Sequence, residues 1–175
     1  SRVTWISQLG VEYLILMHGF TTAEGLFELS LTCAPPPAPA INDDCVNAIA
    51  VAPGVYTGST QANNDDGDSS CGTADNSPSV WYSYTATNDW LLRAQTCGGV
   101  TSYNSVISIH TGCPGVDANE VACNDNSCGV QSLAQVQMVV GTTYYIRVSG
   151  NSGAAGAFTL TIQVVDPTAF VGPDV

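Results

Sequence analysis

The chain carries one segment twice. Residues 10–31 read GVEYLILMHGFTTAEGLFELSL and residues 141–162 read GTTYYIRVSGNSGAAGAFTLTI, at a constant offset of 131 residues and without a gap. Eight of the 22 positions are identical, whereas average composition gives about one or two matches by chance. The second copy closes a domain and the first copy opens the chain. We therefore expect the tail of one domain, followed by a whole second domain.

The rest of the chain consists of short β-rich segments separated by Gly, Asn, Asp and Ser, without a long stretch of helical periodicity. Phe158, Leu160 and Ile162 alternate with polar residues, which is typical of an antiparallel sheet with one buried face. The predicted strands are residues 3–8, 13–18, 26–32, 48–52, 55–59, 80–86, 90–96, 105–111, 120–123, 133–139, 144–149 and 157–164. The predicted fold class is all-β: an antiparallel, jelly-roll-like β-sandwich domain plus an N-terminal partial β-sandwich repeat.

A proline-rich segment, APPPAPA at residues 34–40, is typical of an extended, semi-rigid linker. The predicted parts are the C-terminal strands of an incomplete repeat domain (1–32), the linker (33–41), a complete β-sandwich (42–164) and a linker or extended arm (165–175). The first part has too few strands for a sandwich, so its edges and its apolar face need a partner. The candidate assembly residues are Val3, Trp5, Tyr13, Ile15, Phe27 and Leu29.

The chain is strongly acidic, with a formal net charge of −12 and no lysine. Such a field repels phosphate backbones and anionic membrane surfaces, so we expect neither a nucleic-acid partner nor membrane docking. No run of 18 apolar residues occurs, and we therefore expect no membrane insertion.

Seven cysteines in 175 residues indicate an oxidising compartment and a mature secreted protein. Six of them lie in the complete domain, and sequence alone cannot choose among their connectivities. We prefer three pairs, which would join the start of the domain to its first long loop, close a hairpin and tie two strand ends together. The preferred pairs are Cys45–Cys71, Cys113–Cys123 and Cys97–Cys128, in that order. Cys33 is left over, either for a partner outside the chain or as a free thiol.

Three acidic loops contain oxygen ligands of the kind that Ca²⁺ prefers. The candidate calcium ligands are Asp65, Asp66, Asp68 and Asp125. The 65–68 run lacks the chelating Glu of an EF-hand, and Asn, Asp and Gly are ordinary turn formers, so solvated turns are the alternative. We predict no cofactor besides this calcium.

Trp81 and Trp90 are candidates for stacking on sugar rings, although such residues more often fill a β core. His18 and His110 have no nucleophile beside them in the sequence, which contains no GxSxG elbow, no HExxH helix and no phosphate loop. The carboxylates lie in turns and do not indicate a glycosidase pair. We therefore predict that the protein is not an enzyme.

An ordered set of short motifs covers about 120 residues of the second part. The motifs are NDDC at 42–45, GST at 58–60, SVWYSY at 79–84, YNSVISI at 103–109, TGC at 111–113, VACND at 121–125 and GTTYYIRV at 141–148. In this set the chain resembles the repeated domains of secreted bacterial proteins that are related to the pre-peptidase C-terminal domain. The resemblance implies a compact, non-catalytic β-sandwich, usually in tandem arrays. It also implies that some relatives assist proteases, bind matrix polymers or hold calcium near acidic loops.

Two functions follow, and both place the protein in the secreted fraction or on the surface of a bacterium. The first is a non-enzymatic structural protein that forms a homo-oligomer, fibre or surface array through β-strand complementation between subunits. The strands that complete the first part come either from another copy or from a longer tandem protein. The alternative function is a polysaccharide- or matrix-binding module of a tandem-repeat adhesin. A calcium-stabilised spacer is a third hypothesis.

Overall fold

The computed structural model describes residues 3–5, 7, 11–32, 38–73 and 76–168. The chain divides into two compact units, Ser1–Pro36 and Pro37–Val175, which are called unit 1 and unit 2 below. Within the described ranges, no helix has the length and apolar character needed to cross a membrane. Cys33 lies outside these ranges, as do most of the proline-rich segment and residues 169–175.

Unit 2 is a sandwich of two sheets. Its strands are β1 (Ile49–Ala50), β2 (Gly54–Ser59), β3 (Val80–Thr85), β4 (Leu91–Gln95), β5 (Ser105–His110), β6 (Glu120–Asp125), β7 (Leu133–Gln137), β8 (Thr143–Gly150) and β9 (Ala157–Val165). One sheet has the order β1-β3-β8-β5-β6 and the other has the order β2-β9-β4-β7. The pairs are antiparallel, apart from the short parallel pair of β1 with β3. The all-β sandwich that the sequence predicts is confirmed.

The core of unit 2 lies between the two sheets. Successive side chains of a strand point to opposite faces, so alternate apolar residues meet in this space. Ile107, Ile146, Phe158 and Leu160 are fully buried there. The rings of Phe158 and Tyr82 are perpendicular to each other, with their centroids 6.5 Å apart. Full burial of one such side chain contributes about 1.5–3 kcal/mol to folding.

The outer face of the five-stranded sheet is buried as well. Residues 65–73, which precede β3 and are called the covering segment below, lie over it. All six residues of β5 are buried, and so is Trp81 on β3. The indole N–H of Trp81 donates to the Asp66 carbonyl oxygen at 3.2 Å. A Cβ atom on Gly67, which has a φ of +94°, would lie 2.7 Å from the same ring. Only glycine therefore fits this close crossing of the backbone over the tryptophan.

Three disulfides hold the loops of unit 2. The pairs are Cys45–Cys113, Cys71–Cys123 and Cys97–Cys128. The third pair matches the prediction, whereas the predicted pairs Cys45–Cys71 and Cys113–Cys123 are wrong. Cys123 lies on β6 beneath the covering segment that carries Cys71, and the loop after β5 brings Cys113 toward Trp81 and the start of unit 2. Three such bonds are typical of an oxidising, extracellular environment.

The strands predicted in unit 2 agree with the structure within two residues at each end. The strands predicted in unit 1, at residues 3–8, 13–18 and 26–32, are wrong for its described residues, to which the structure assigns no strand. Through the offset of 131 residues these segments correspond to β7, β8 and β9. In unit 2 no two of these three strands pair with each other, since β8 lies between β3 and β5, and β4 separates β9 from β7. A hydrogen-bonded ladder in unit 1 therefore requires strands that are not found among its described residues.

Candidate functional site

The candidate functional site is residues 11–32 of unit 1, called the open arch below. Its turn has the same geometry as the connection between β8 and β9. Thr21 has a φ of 58°, and its counterpart Ser152 has a φ of 55°. A Cβ atom on Gly19, or on its counterpart Gly150, would lie 1.8 Å from the carbonyl oxygen four residues further along. Both turns are closed by a backbone hydrogen bond of 3.1 Å at the same repeat position. The repeat is therefore structural as well as sequential at this turn.

One row of apolar side chains in the open arch is half-covered. Tyr13, Ile15 and Met17 are between 40% and 44% exposed. Phe27 and Leu29, on the other limb, are 69% and 49% exposed. The counterparts of these five residues are Tyr144, Ile146, Val148, Phe158 and Leu160, all of which are at most 3% exposed. The open arch thus carries the core-facing row of a sandwich without the sheets that would bury it.

The same row continues into the segment that corresponds to β7. Trp5 lies against Tyr13, with a centroid distance of 6.0 Å between the two rings. Val3 is exposed. Their counterparts on β7, Ala134 and Val136, belong to the core of unit 2 or pack against it. All six predicted assembly residues are therefore apolar and exposed in the structure.

Sequence reasoning missed Met17 and Leu31, which complete the row on the two limbs. Their counterparts Val148 and Ile162 are buried in the core of unit 2. The signal that would have found them is the repeat itself, because these positions stay apolar in both copies without being identical.

The opposite side of the arch carries a second, more exposed apolar pair. Leu14 is 92% exposed and Leu16 is 85% exposed. The counterpart of Leu16 is Arg147, which is fully buried under the covering segment of unit 2. There its guanidinium donates to an Asp65 carboxylate oxygen at 2.7 Å. The two copies thus differ in polarity at a position that the cover of a sandwich would enclose.

The four predicted calcium ligands have separate roles in unit 2. Asp65 pairs with Arg147, and an Asp66 carboxylate oxygen accepts from the Cys45 amide at 2.5 Å. The amide of Asp68 donates to the Gly115 carbonyl oxygen. Asp125, at the end of β6, accepts from the side-chain amide of Asn151 at 2.8 Å. Within the described part of the chain, no group of three His, Cys, Asp or Glu side chains is arranged to hold a metal ion.

The two tryptophans proposed for glycan stacking lie in different environments. Trp81 is 0% exposed and stands against His110, with ring centroids 5.4 Å apart. It therefore presents no face to a sugar, and its assignment as a stacking residue is wrong. Trp90, just before β4, is 37% exposed and remains the one of the two that solvent reaches.

His110 is part of the buried layer outside the five-stranded sheet. Its Nε2 atom lies 2.8 Å from the Ser108 hydroxyl, and its Nδ1 atom lies 3.1 Å from the Asn119 side-chain oxygen. Burial lowers the pKa of His110, which favours the neutral ring. The Ser108 and Asn119 partners satisfy both ring nitrogens of His110, as in a structural histidine. His18, in contrast, is exposed on the open arch.

The fold and the bonds described above define unit 2 as a disulfide-linked, two-sheet β-sandwich. Comparison of the chain with models of known protein families and with curated proteins found no match.

Proposed function

We propose that this chain is a non-enzymatic structural protein of a fibre or array on the surface of a bacterium. Its subunits are joined through the open arch by β-strand complementation. The observation that carries the proposal is the exposure of a core-type row of side chains in unit 1, whereas the corresponding row in unit 2 is buried. Monomeric soluble proteins rarely expose a contiguous apolar surface of this kind without using it for association.

The described residues of the open arch have no strand pairing, and this supports the same function. Extended segments without neighbours offer rows of amide and carbonyl groups to another chain. Strand addition satisfies these groups through backbone hydrogen bonds, while alternate side chains enter the partner's core. When such a contact does not close into a ring, it propagates as a filament. The three disulfides of unit 2 suit a protein that works in an oxidising, extracellular environment.

The test is the concentration dependence of association of the full chain, followed by analytical ultracentrifugation and electron microscopy. We expect the wild-type chain to associate as its concentration rises. Ile15→Asp and Leu29→Asp should each weaken this association at least tenfold, because each places a carboxylate in the row that a neighbour buries. Neither residue belongs to the core of unit 2, so unit 2 should keep its fold.

Val55→Asp is the matched control. Val55 is an exposed apolar residue of β2 in unit 2, and the same substitution there should leave association unchanged. A wild-type chain that stays monomeric at every concentration would contradict the proposal. Equal weakening by Val55→Asp and Ile15→Asp would show instead that general solubility governs the association.

A further inference from the structure

The strands that would complete the open arch can be named from unit 2. Ile146, the counterpart of Ile15, is paired with Tyr82 on β3 and with Ile109 on β5. Leu160, the counterpart of Leu29, is paired with Tyr56 on β2. The other edge of β9 is paired with β4. A full set of neighbours for the open arch therefore consists of four strands equivalent to β2, β3, β4 and β5.

Unit 2 of a second copy of the chain cannot spare these four strands. In unit 2 the place between β3 and β5 is filled by β8, and the place between β2 and β4 is filled by β9. The described residues of one chain thus contain two segments of the β8–β9 type and one set of strands for them to complete. If the open arch of one chain entered unit 2 of another, it would displace β8 and β9 there. Association with unit 2 of another chain can cover the open arch in part, but it does not supply the four missing neighbours.

The position of Phe27 sets one requirement on the completing partner. Its counterpart Phe158 lies over Gly58 of β2, where an added Cβ atom would lie 2.5 Å from the ring. Both copies of the repeated segment have phenylalanine at this position. The β2-type strand of the partner therefore needs a glycine opposite Phe27.

The position of Leu16 sets a second requirement, which unit 2 does not meet. Arg147 occupies this position in unit 2 and is paired with Asp65 of the covering segment. Leu16 in the same place would put an apolar side chain at the fully buried position of Arg147 and would lose the ion pair with Asp65, whose side chain is 38% exposed. It would therefore gain neither a charge partner nor an apolar contact at that position. A cover that suits Leu16 carries an apolar residue where unit 2 carries Asp65.

We infer that the open arch is completed by a β-sandwich body of the unit 2 type that is distinct from unit 2 itself. This body lacks its own last two strands, has a glycine opposite Phe27 and has an apolar residue at the position of Asp65. The inference rests on the proposed function in taking the open arch as a surface that is covered by β-strand complementation. It adds that the open arch donates strands, and that unit 2, which is complete, does not accept them.

The test uses a chimera in which a second copy of residues 38–140 is joined in front of residues 10–175. At this junction Gly10 directly follows residue 140, as its repeat counterpart Gly141 does in unit 2. The added body then supplies β1 to β7, and the open arch stands in the place of β8 and β9. Amide hydrogen exchange at residues 13–18 and 26–31 measures completion. The midpoint of thermal unfolding of the added body measures its stability. In a reference chimera, residues 10–31 are replaced by residues 141–162, so the added body carries its native strands.

Three versions of the chimera separate the roles of positions 16 and 65. The first keeps Leu16 and the Asp65 of the added body, the second carries Asp65→Leu in the added body only, and the third carries Leu16→Arg. We expect slowed exchange of the arch amides in all three, by at least tenfold relative to the unmodified chain. The second and third should have a higher thermal midpoint than the first, by about 3–5 °C for each kcal/mol regained in a body of this size. Leu14→Arg is the matched control, with the same substitution on the same side of the strand two residues away, and it should give no such gain.

The inference is overturned if the reference chimera folds while the arch amides exchange freely in all three versions. It is also overturned if Leu14→Arg raises the midpoint as much as Leu16→Arg does. The two proposals can fail separately. A monomeric full chain whose arch is protected in the chimera contradicts association between copies alone. A full chain that associates, with no protection in the chimera, contradicts the inferred partner alone.

Discussion

The open arch and the strands β8 and β9 carry the same sequence pattern in two different structural surroundings. Both have the same turn, with matching φ values at Thr21 and Ser152, and both carry an apolar row at the same positions. Among the described residues, the copy in unit 2 forms strands and buries that row, whereas the copy in unit 1 is assigned no strand and leaves the row exposed. The turn is a local property of Gly and its neighbours, whereas a strand exists only where adjacent strands accept its hydrogen bonds. The difference between the two copies is therefore a difference in neighbours.

The largest expected effect comes from truncating the same aromatic residue in each copy. Phe158→Ala should lower the free energy of unfolding of unit 2 by about 3–5 kcal/mol, because it removes a fully buried ring from a packed core. Phe27→Ala should change it by less than about 0.5 kcal/mol, because Phe27 is largely exposed in unit 1. Urea unfolding of the full chain measures both. Equal losses from the two variants would show that the first copy is integrated into the core.

Most of the fold of unit 2 could be predicted from alternation and turn residues. These signals are local, and they place β5, β8 and β9 correctly. The disulfide partners Cys45–Cys113 and Cys71–Cys123 could not be predicted, since they depend on how loops distant in sequence cover a sheet. The burial of Trp81 follows from the same cover. In unit 1 the apolar row could be predicted from the sequence. Alternation alone, however, does not show that the counterparts of its three segments, β7, β8 and β9, are non-adjacent strands in two different sheets.

A smaller effect is the contribution of His110 to the pH dependence of stability. Burial lowers the pKa of His110 in the folded protein, while the unfolded chain binds the same proton at a pKa of about 6.5. As the pH falls below about 6.5, the unfolded state takes up a proton that the folded state resists. His110 should therefore reduce stability toward acid, by at most about 1.4 kcal/mol per pH unit, until the folded pKa is passed.

Urea unfolding at a series of pH values between about 7.5 and 5.5 measures this slope, within the range where an unperturbed histidine titrates. His110→Gln should flatten the slope. A wild-type slope retained in His110→Gln would assign the pH dependence to other groups.

Amide hydrogen exchange in the dilute full chain tests most directly whether the two copies differ in their neighbouring strands. It compares residues 13–18 and 26–31 with their counterparts 144–149 and 157–162. We expect exchange near the unfolded rate in the first set and protection of at least about a thousandfold in the second, as for core strands of a stable domain. Equal protection of both sets in a dilute monomer would show that unit 1 already has its neighbouring strands and that the open arch is not open.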